Sequence, residues 1–357
     1  MMLPRKRPAT LLLHVSLVLI LAGGLLTLLF GQRGSVHLRA DETVSCFVLK
    51  DGRMAAFPFG LRLESFHIEY DPGSGRPADY VSVVSFLADE DSGSSSGMTK
   101  KGSGESPATI SMNHIGKFRG YRFCQADYDA DGAGSTLAVN HDPWGVGVTY
   151  AGYLLLLLAM IGFFFERDSA WRRTVRSLRP AGVTEHRRTP WPVLIPAAGA
   201  ALLVLWLLRT VPRGPLLPVL RTPLLFIHMI PIIVSYALFS LLAILGAAGL
   251  LLPEGKSARL RDVGRTLLLP AVFLLAFGTF LGAVWANISW GSYWTWDPKE
   301  TWALITLLVY AGVLHGTSLR PSARPRLFHL LCVLAFLTVL VTFFGVNLFL
   351  GGIHSYA

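Results

Sequence analysis

Long uninterrupted apolar runs are the feature that most limits what this chain can fold into. About 18–20 apolar residues cross the hydrocarbon layer of a bilayer, and several runs here reach that length. The sequence is 52% apolar and only 15% charged over 357 residues. We therefore predict a polytopic α-helical membrane protein with about seven transmembrane helices, at residues 10–30, 146–165, 191–209, 223–252, 266–286, 301–318 and 327–350.

Basic residues gather in alternate segments between the predicted helices. Four segments hold 17 of the 32 Lys and Arg residues: 1–9, 166–190, 253–265 and 319–326. Because positive loops stay in the cytoplasm, the N-terminus is predicted inside and the C-terminus outside. The same rule puts residues 32–145 and the loop 287–300 on the extracytoplasmic side of the cytoplasmic (inner) membrane. Topology thus explains the net charge of +10, and no nucleic-acid partner is expected.

The boundaries of these runs divide the chain into domains. Residues 1–31 are predicted to be an N-terminal transmembrane anchor rather than a cleaved signal, because Gly31 and its neighbours make a poor cleavage site. Residues 32–145 are polar enough for a small extracytoplasmic β-rich domain. The helix 146–165 and the basic loop 166–190 follow, and residues 191–357 form a second membrane domain. Within the β-rich domain we predict strands at Thr43–Leu49, Leu61–Tyr70, Tyr80–Leu87 and Tyr121–Gln125, and a flexible Ser/Gly-rich loop at 89–106.

Two of the three cysteines, Cys46 and Cys124, fall in the β-rich domain. An oxidising compartment would let them form a structural disulfide, and two unpaired thiols are the other possibility. Neither belongs to a Cys-x-x-Cys pair, so a thioredoxin-like redox role has little support.

Four tryptophans and one tyrosine crowd the thirteen residues from Trp290 to Trp302. We call residues 287–300 the aromatic loop. Tryptophan favours the membrane–water boundary and offers a flat apolar face, so this density suits a large planar ligand such as a porphyrin. Asp297, Pro298 and Glu300 also match a capping box, which predicts that a helix starts where the loop ends.

Four histidines sort by depth in the predicted topology. An ionisable residue inside a span is a functional candidate, and imidazole is a common axial ligand of haem iron. His228 and His354 lie towards the outer face, beside the aromatic loop. His14 and His315 lie near the inner face, where His329 is a rival. Each His also has a structural reading: His14 could sit at an interface or bond a backbone carbonyl, and His315 could simply be solvated.

The same residues resemble a known family. The run Trp290-Gly-x-Tyr-Trp-x-Trp-Asp-Pro-Lys-Glu-Thr-Trp302 is similar to the WWD signature of cytochrome c biogenesis proteins, most of all the CcsA family of system II. The segments around His228 and His354 fit that family. The β-rich domain resembles the CcsB (ResB-like) partner at Pro58–Leu63, Asp79–Ser82, Gly120–Gln125 and Asp142–Gly145. The chain therefore resembles a CcsB–CcsA fusion in compact form.

This resemblance implies haem b as the cofactor and apocytochrome c as the partner. It implies an outer iron pair, His228 and His354, and an inner pair, His14 and His315. Further haem contacts are implied at Trp290, Tyr293, Trp294, Trp296 and Asp297. Thioredoxin-like thiol reductants and other maturation subunits are further expected partners.

The implied function is haem export followed by thioether attachment to the Cys-x-x-Cys-His motif of apocytochrome c. The chain would then be a component of a cytochrome c haem ligase, and no residue stands out as its general acid or base. One alternative is a haem carrier that supplies a separate chaperone or synthase. A second alternative is a b-type membrane electron carrier, which four histidines in two pairs would serve equally well.

Overall fold

The structure is a computed structural model. It describes residues 8–73, 75–88, 105–166, 222–319 and 325–350, with the isolated residues Arg172 and Val175. The predicted helix 191–209, the loop 166–190 beyond its first residue, and His354 therefore lie outside the main described ranges.

The helices account for the long apolar runs. They are α1 (Pro8–Phe30), α2 (Gly145–Phe165), α3 (Pro223–Leu251), α4 (Glu254–Trp290), α5 (Pro298–Leu319) and α6 (Pro325–Leu340), and α6 continues as a π-helical segment, Val341–Leu350. Among the described residues, five helices are long and apolar enough to cross a membrane: Pro8–Phe30, Gly145–Phe165, Pro223–Leu251, Glu254–Trp290 and Pro325–Leu350. The prediction of a polytopic helical membrane protein is confirmed.

The predicted count of seven spans is not confirmed. Residues 301–318 do form a helix, α5, but it is not among the five candidates. The segment 253–265, predicted as a loop, is helical from Glu254 onward. At about 1.5 Å per residue, the 37 residues of α4 are longer than a bilayer is thick, so the helix extends beyond the apolar layer. Trp290 closes α4, and the irregular part of the aromatic loop begins only at Gly291.

An antiparallel sheet of eight strands lies between α1 and α2 in the chain. Its strands are β1 (Gln32–Arg39), β2 (Thr43–Leu49), β3 (Met54–Tyr70), β4 (Pro77–Ala88), β5 (Glu105–Ile110), β6 (Gly116–Phe118), β7 (Tyr121–Tyr128) and β8 (Gly134–His141). The spatial order is β5-β4-β3-β2-β1-β8-β7-β6. All four predicted strands exist, but the predicted loop 89–106 was wrong at its end, since β5 begins at Glu105.

The sheet curls until its two edge strands meet. Ser111 and His114 form a bridge between β5 and β6, and a Cβ on Gly116 would lie 2.8 Å from Ile110. The curled sheet encloses an aromatic core in which Phe59 packs against Phe86, Phe118 and Tyr121. This core forms because apolar and polar residues alternate along the strands, so that one face of the pleated sheet is apolar and becomes buried.

Close helix crossings depend on small residues. A Cβ on Gly23 of α1 would lie 2.6 Å from the backbone nitrogen of Thr149 in α2, and a Cβ on Gly278 of α4 would lie 3.0 Å from the carbonyl oxygen of His228 in α3. Glycine lets backbones approach where no water can drive association. The α1–α2 crossing also brings the two ends of the sheet segment together, because β1 follows α1 and β8 precedes α2 in the chain.

Candidate functional site

The aromatic loop is closed at both ends by backbone features. Gly291 ends α4 with φ at 71°, the left-handed conformation common at helix C-termini. Trp296 has φ at 61°, which is rare for a bulky residue. Its indole is also 70% exposed. A strained and exposed tryptophan is typical of a functional site, because the surrounding structure must hold it in place.

The predicted capping box is confirmed. Asp297 Oδ1 accepts the backbone N–H of Lys299 at 2.9 Å, and Glu300 Oε2 accepts the N–H of Asp297 at 3.3 Å. Glu300 also accepts the N–H of Thr295 at 2.8 Å, so its carboxylate holds the loop as well as the first turn of α5. Asp297 is buried while performing this role.

His228 lies against the start of the loop. It is only 9% exposed, and its ring stacks on Trp285 with centroids 5.2 Å apart. Its Nδ1 donates to the carbonyl oxygen of Leu224 at 3.1 Å. Trp285 in turn packs edge-on against Trp290 with centroids 4.8 Å apart. The predicted neighbourhood of His228 and the tryptophans is therefore present, with Trp285 as an intermediate that the sequence did not single out.

Trp294 and Trp296 form the other half of the aromatic loop. Their rings are perpendicular, with centroids 5.9 Å apart. The Nε1–H of Trp294 is buried and has no hydrogen-bond acceptor among the described residues. A buried donor of this kind is costly unless a ligand or water accepts its proton.

Tyr293 is tied to α1 and to the end of the sheet. Thr27 Oγ1 donates to Asp142 Oδ2 at 2.5 Å and pairs with the Tyr293 hydroxyl, also at 2.5 Å. Asp142 additionally accepts the N–H of Gly145 at 2.7 Å, which caps α2. One hydroxyl therefore joins three segments that are far apart in sequence.

The sheet also touches the loop directly. Asn140 of β8 donates from its side chain to the carbonyl oxygen of Gly291. A Cβ on Gly291 would lie 2.7 Å from the sulfur of Cys124, so this thiol packs on the glycine. Burial raises the pKa of Cys124 to about 12. Cys46 and Cys124 are both free thiols, on β2 and β7, which decides the open question in favour of unpaired cysteines.

The predicted inner pair, His14 and His315, is brought together by α1 and α5. Their ring centroids are 6.1 Å apart and the rings are perpendicular. Nδ1 of His14 donates to the carbonyl of Thr10 at 2.7 Å, and Nδ1 of His315 donates to that of Ala311 at 2.8 Å. Since a carbonyl only accepts, the neutral tautomer that fits these bonds has its proton on Nδ1 and its lone pair on Nε2. Among the described residues, neither Nε2 atom has a hydrogen-bond partner.

His329 does not join this pair. It is buried, its Nε2 donates to the carbonyl of Ser257 at 3.0 Å, and its ring fills the space beside Gly249. The structure thus gives His329 a packing role between α3, α4 and α6. His354 lies outside the described residues, and its place in the outer pair stays a prediction.

Several residues of this region were missed by sequence reasoning. Trp285, Thr27 and Asn140 carry no local signal, because their roles arise from contacts more than 50 residues away in the chain. Asp142 was marked through the Asp142–Gly145 segment quoted for the family resemblance, and Arg122 and Cys124 through Gly120–Gln125.

Two family models match the chain. Residues 5–136 match the ResB-like family, and residues 190–354 match the family described as cytochrome C assembly protein. The first match covers α1 and most of the sheet, whereas the second covers α3, α4, the aromatic loop, α5 and α6.

Curated proteins are also similar to parts of the chain. Protein NrfI of Wolinella succinogenes is 43% identical over 152 residues, which are 40% of this chain and 17% of that protein. A cytochrome c biogenesis protein CcsA of Synechococcus sp. is 36% identical over 179 residues, 40% of this chain and 58% of that protein. The CcsA of Synechococcus elongatus is 53% identical over 85 residues, 23% of this chain and 25% of that protein. The chain therefore spans only part of the length of each relative.

Fold and site together define a multi-pass membrane protein in which a curled β-sheet is held against a tryptophan-rich loop between two helices. The two matched regions say what the chain is similar to. The chain joins a ResB-like segment to a CcsA-like cytochrome c assembly segment, as in a fused ResB–CcsA cytochrome c biogenesis protein.

Proposed function

We propose that this protein binds haem b beside the aromatic loop and presents it for covalent attachment to apocytochrome c. The observation that carries the proposal is the contact chain from His228 through Trp285 to Trp290, which joins an imidazole to the loop. Imidazole is a frequent axial ligand of haem iron, and indole faces suit the flat macrocycle. His354 is proposed as the second outer ligand.

The donor set supports haem as the ligand. Trp296 offers an exposed ring, and the buried Nε1–H of Trp294 is a donor that needs an acceptor. Tyr293 and Asp297 support the site indirectly, because their side chains hold the loop in place. The site thus combines an imidazole, aromatic faces and an unsatisfied donor.

The inner pair supports a second haem position. A metal–nitrogen distance of about 2.0 Å, with roughly 1.1 Å from each nitrogen to its ring centre, gives ring centres about 6 Å apart when one iron binds both rings. His14 and His315 have ring centroids 6.1 Å apart and their lone pairs on Nε2. We propose that haem binds here before it is exported. This proposal goes with an N-terminus in the cytoplasm and an aromatic loop on the outer side of the inner membrane.

The protein's own residues would orient the haem and keep oxygen away from it. Bound haem supplies the chemistry through its vinyl groups, to which the two thiols of Cys-x-x-Cys-His add. The aromatic loop fixes the plane of the ligand, and capping by Asp297 and Glu300 fixes the loop. His228 and His354 would be the residues that hold the iron, and they would keep oxygen from it. No described residue is assigned as an acid or base.

Co-expression with an apocytochrome c tests this proposal in a host lacking its own maturation system. We expect covalent haem on the cytochrome, detected by haem staining after denaturing electrophoresis. Haem bound to this protein with none on the cytochrome would instead support the carrier alternative. Replacement of Trp294 and Trp296 by Leu should abolish covalent attachment of haem to the cytochrome. If neither the parent protein nor the variant attaches haem, and the variant transfers electrons as well as the parent, the electron-carrier alternative would be supported.

The inner site has its own test. His14→Ala should remove one haem per chain and its six-coordinate spectrum, and added imidazole should restore the spectrum. His329→Gln is the matched control, because that ring packs in a different place. Loss of haem in the control with none lost in His14→Ala would contradict the assignment.

A further inference from the structure

A row of three polar side chains crosses the sheet on the face that meets the aromatic loop. Arg33 of β1 is the direct neighbour of Asn140 in β8, and Asn140 is the direct neighbour of Arg122 in β7. Directly opposed residues of antiparallel strands point to the same face. We call Arg33, Asn140 and Arg122 the polar row.

Both arginines reach the segment that forms the proposed haem site. Nη1 of Arg33 donates to the carbonyl oxygen of Trp294 at 3.2 Å. Nη1 of Arg122 donates to Oδ1 of Asn287 at 2.6 Å. The guanidinium groups therefore lie beside the last turn of α4 and beside the middle of the irregular part of the loop. Strands are spaced about 4.8 Å apart, so positions separated by one intervening strand are roughly 10 Å apart at the backbone.

Neither arginine is neutralised within the described part of the chain. Their hydrogen-bond acceptors are a carbonyl and an amide, both neutral, and no described carboxylate lies within ion-pair distance of either. Each guanidinium has five N–H donors, of which these bonds use one. Both side chains are half-buried, where a cation without a counter-ion is costly. The unsatisfied Nε1–H of Trp294 adds a third donor beside Arg33.

We infer that the polar row binds the carboxylates of the tetrapyrrole, with Arg33 and Arg122 each taking one. Guanidinium groups favour carboxylates because their forked donors match the two oxygens. The inference deepens the proposed function and rests on it: the sheet supplies the anion-binding half of the site, and the aromatic loop supplies the planar half. Asn140 spaces the two cations and holds the loop through Gly291.

The test compares iron protoporphyrin IX with its dimethyl ester, which has the same ring and iron but no carboxylates. Both are titrated into the detergent-purified chain carrying His14→Ala, which removes the inner pair, and binding is followed by the Soret band. Arg33→Gln and Arg122→Gln are the variants, and Arg33→Lys keeps the charge. Arg119→Gln is the matched control, since Arg119 is exposed and donates to the carbonyl of Pro58 away from the loop.

We expect each glutamine variant to bind the diacid about tenfold more weakly and the ester unchanged, because only the diacid loses a charge-assisted bond. Arg33→Lys should retain most of the affinity, and the Arg119 control should bind both ligands as the parent does. Equal weakening of both ligands would overturn the inference, since it would mean that the arginines only hold the loop. No effect on either ligand would overturn it too. If the parent chain binds neither ligand, the proposed outer haem site itself fails.

Discussion

Replacing Thr27 by Val should loosen the aromatic loop although Thr27 lies in α1, far from the loop in sequence. The substitution keeps the shape of the side chain and removes its hydroxyl. That hydroxyl donates to Asp142 and pairs with Tyr293, each at 2.5 Å. A neutral hydrogen bond contributes about 1 kcal/mol and one to a charged group about 1.5–3 kcal/mol, so the total loss is roughly 2–4 kcal/mol.

Thermal unfolding in detergent, followed by tryptophan fluorescence, measures this effect. Thr338→Val is the matched control, because within the described part of the chain the Thr338 hydroxyl bonds the carbonyl of Ala335 in its own helix and nothing else. We expect Thr27→Val to lower the Tm by several degrees and the control to change it little. The double variant with Tyr293→Phe should cost about 1 kcal/mol less than the sum of the two single changes, since they share one bond. Equal Tm values for Thr27→Val and its control would refute the reasoning.

Three further outcomes are expected. Glu300→Ala removes acceptors for two backbone N–H groups and should destabilise the start of α5 by about 1–2 kcal/mol, measured as faster hydrogen exchange there. Gly291→Ala adds a methyl 2.7 Å from the Cys124 sulfur at a φ of 71°, which should cost at least 1–2 kcal/mol and lower the Tm. Burial lowers the pKa of His141, which stacks on Tyr121, from its usual 6.5. As the pH falls, His141 therefore binds a proton in the unfolded chain at a higher pH than in the folded chain. Protection of β7 and β8 from hydrogen exchange should be constant above about pH 6.5 and fall as the pH drops below it.

Local sequence signals predicted local structure well. The capping box at Asp297 and Glu300 and the strand Thr43–Leu49 needed only neighbouring residues, and both are present as predicted. Depth sorting also brought His14 and His315 together, because topology fixes the height of a residue within a helix bundle.

Long-range contacts could not be predicted from the sequence. The strand Gln32–Arg39 has few apolar residues, so it becomes a strand only by pairing with β2 and β8. The bond between Arg122 and Asn287 joins residues 165 positions apart. No local pattern encodes such a pairing, and the contact between sheet and loop therefore emerged only from the fold.

Some errors had physical causes. The charge of the basic segment 253–265 predicts a loop, yet charged residues are compatible with a helix that extends past the bilayer. Helix α5 begins with polar capping residues, and it is not among the five candidates found in the described residues.

The central claim is that haem iron is held beside the aromatic loop by His228 and His354. Its most direct test is the absorption spectrum of the detergent-purified chain from a host supplied with a haem precursor. We expect a Soret band of six-coordinate haem, and loss of the outer haem in the double variant His228→Ala/His354→Ala. A colourless wild-type protein, or a double variant with the same haem content and spectrum, would contradict it.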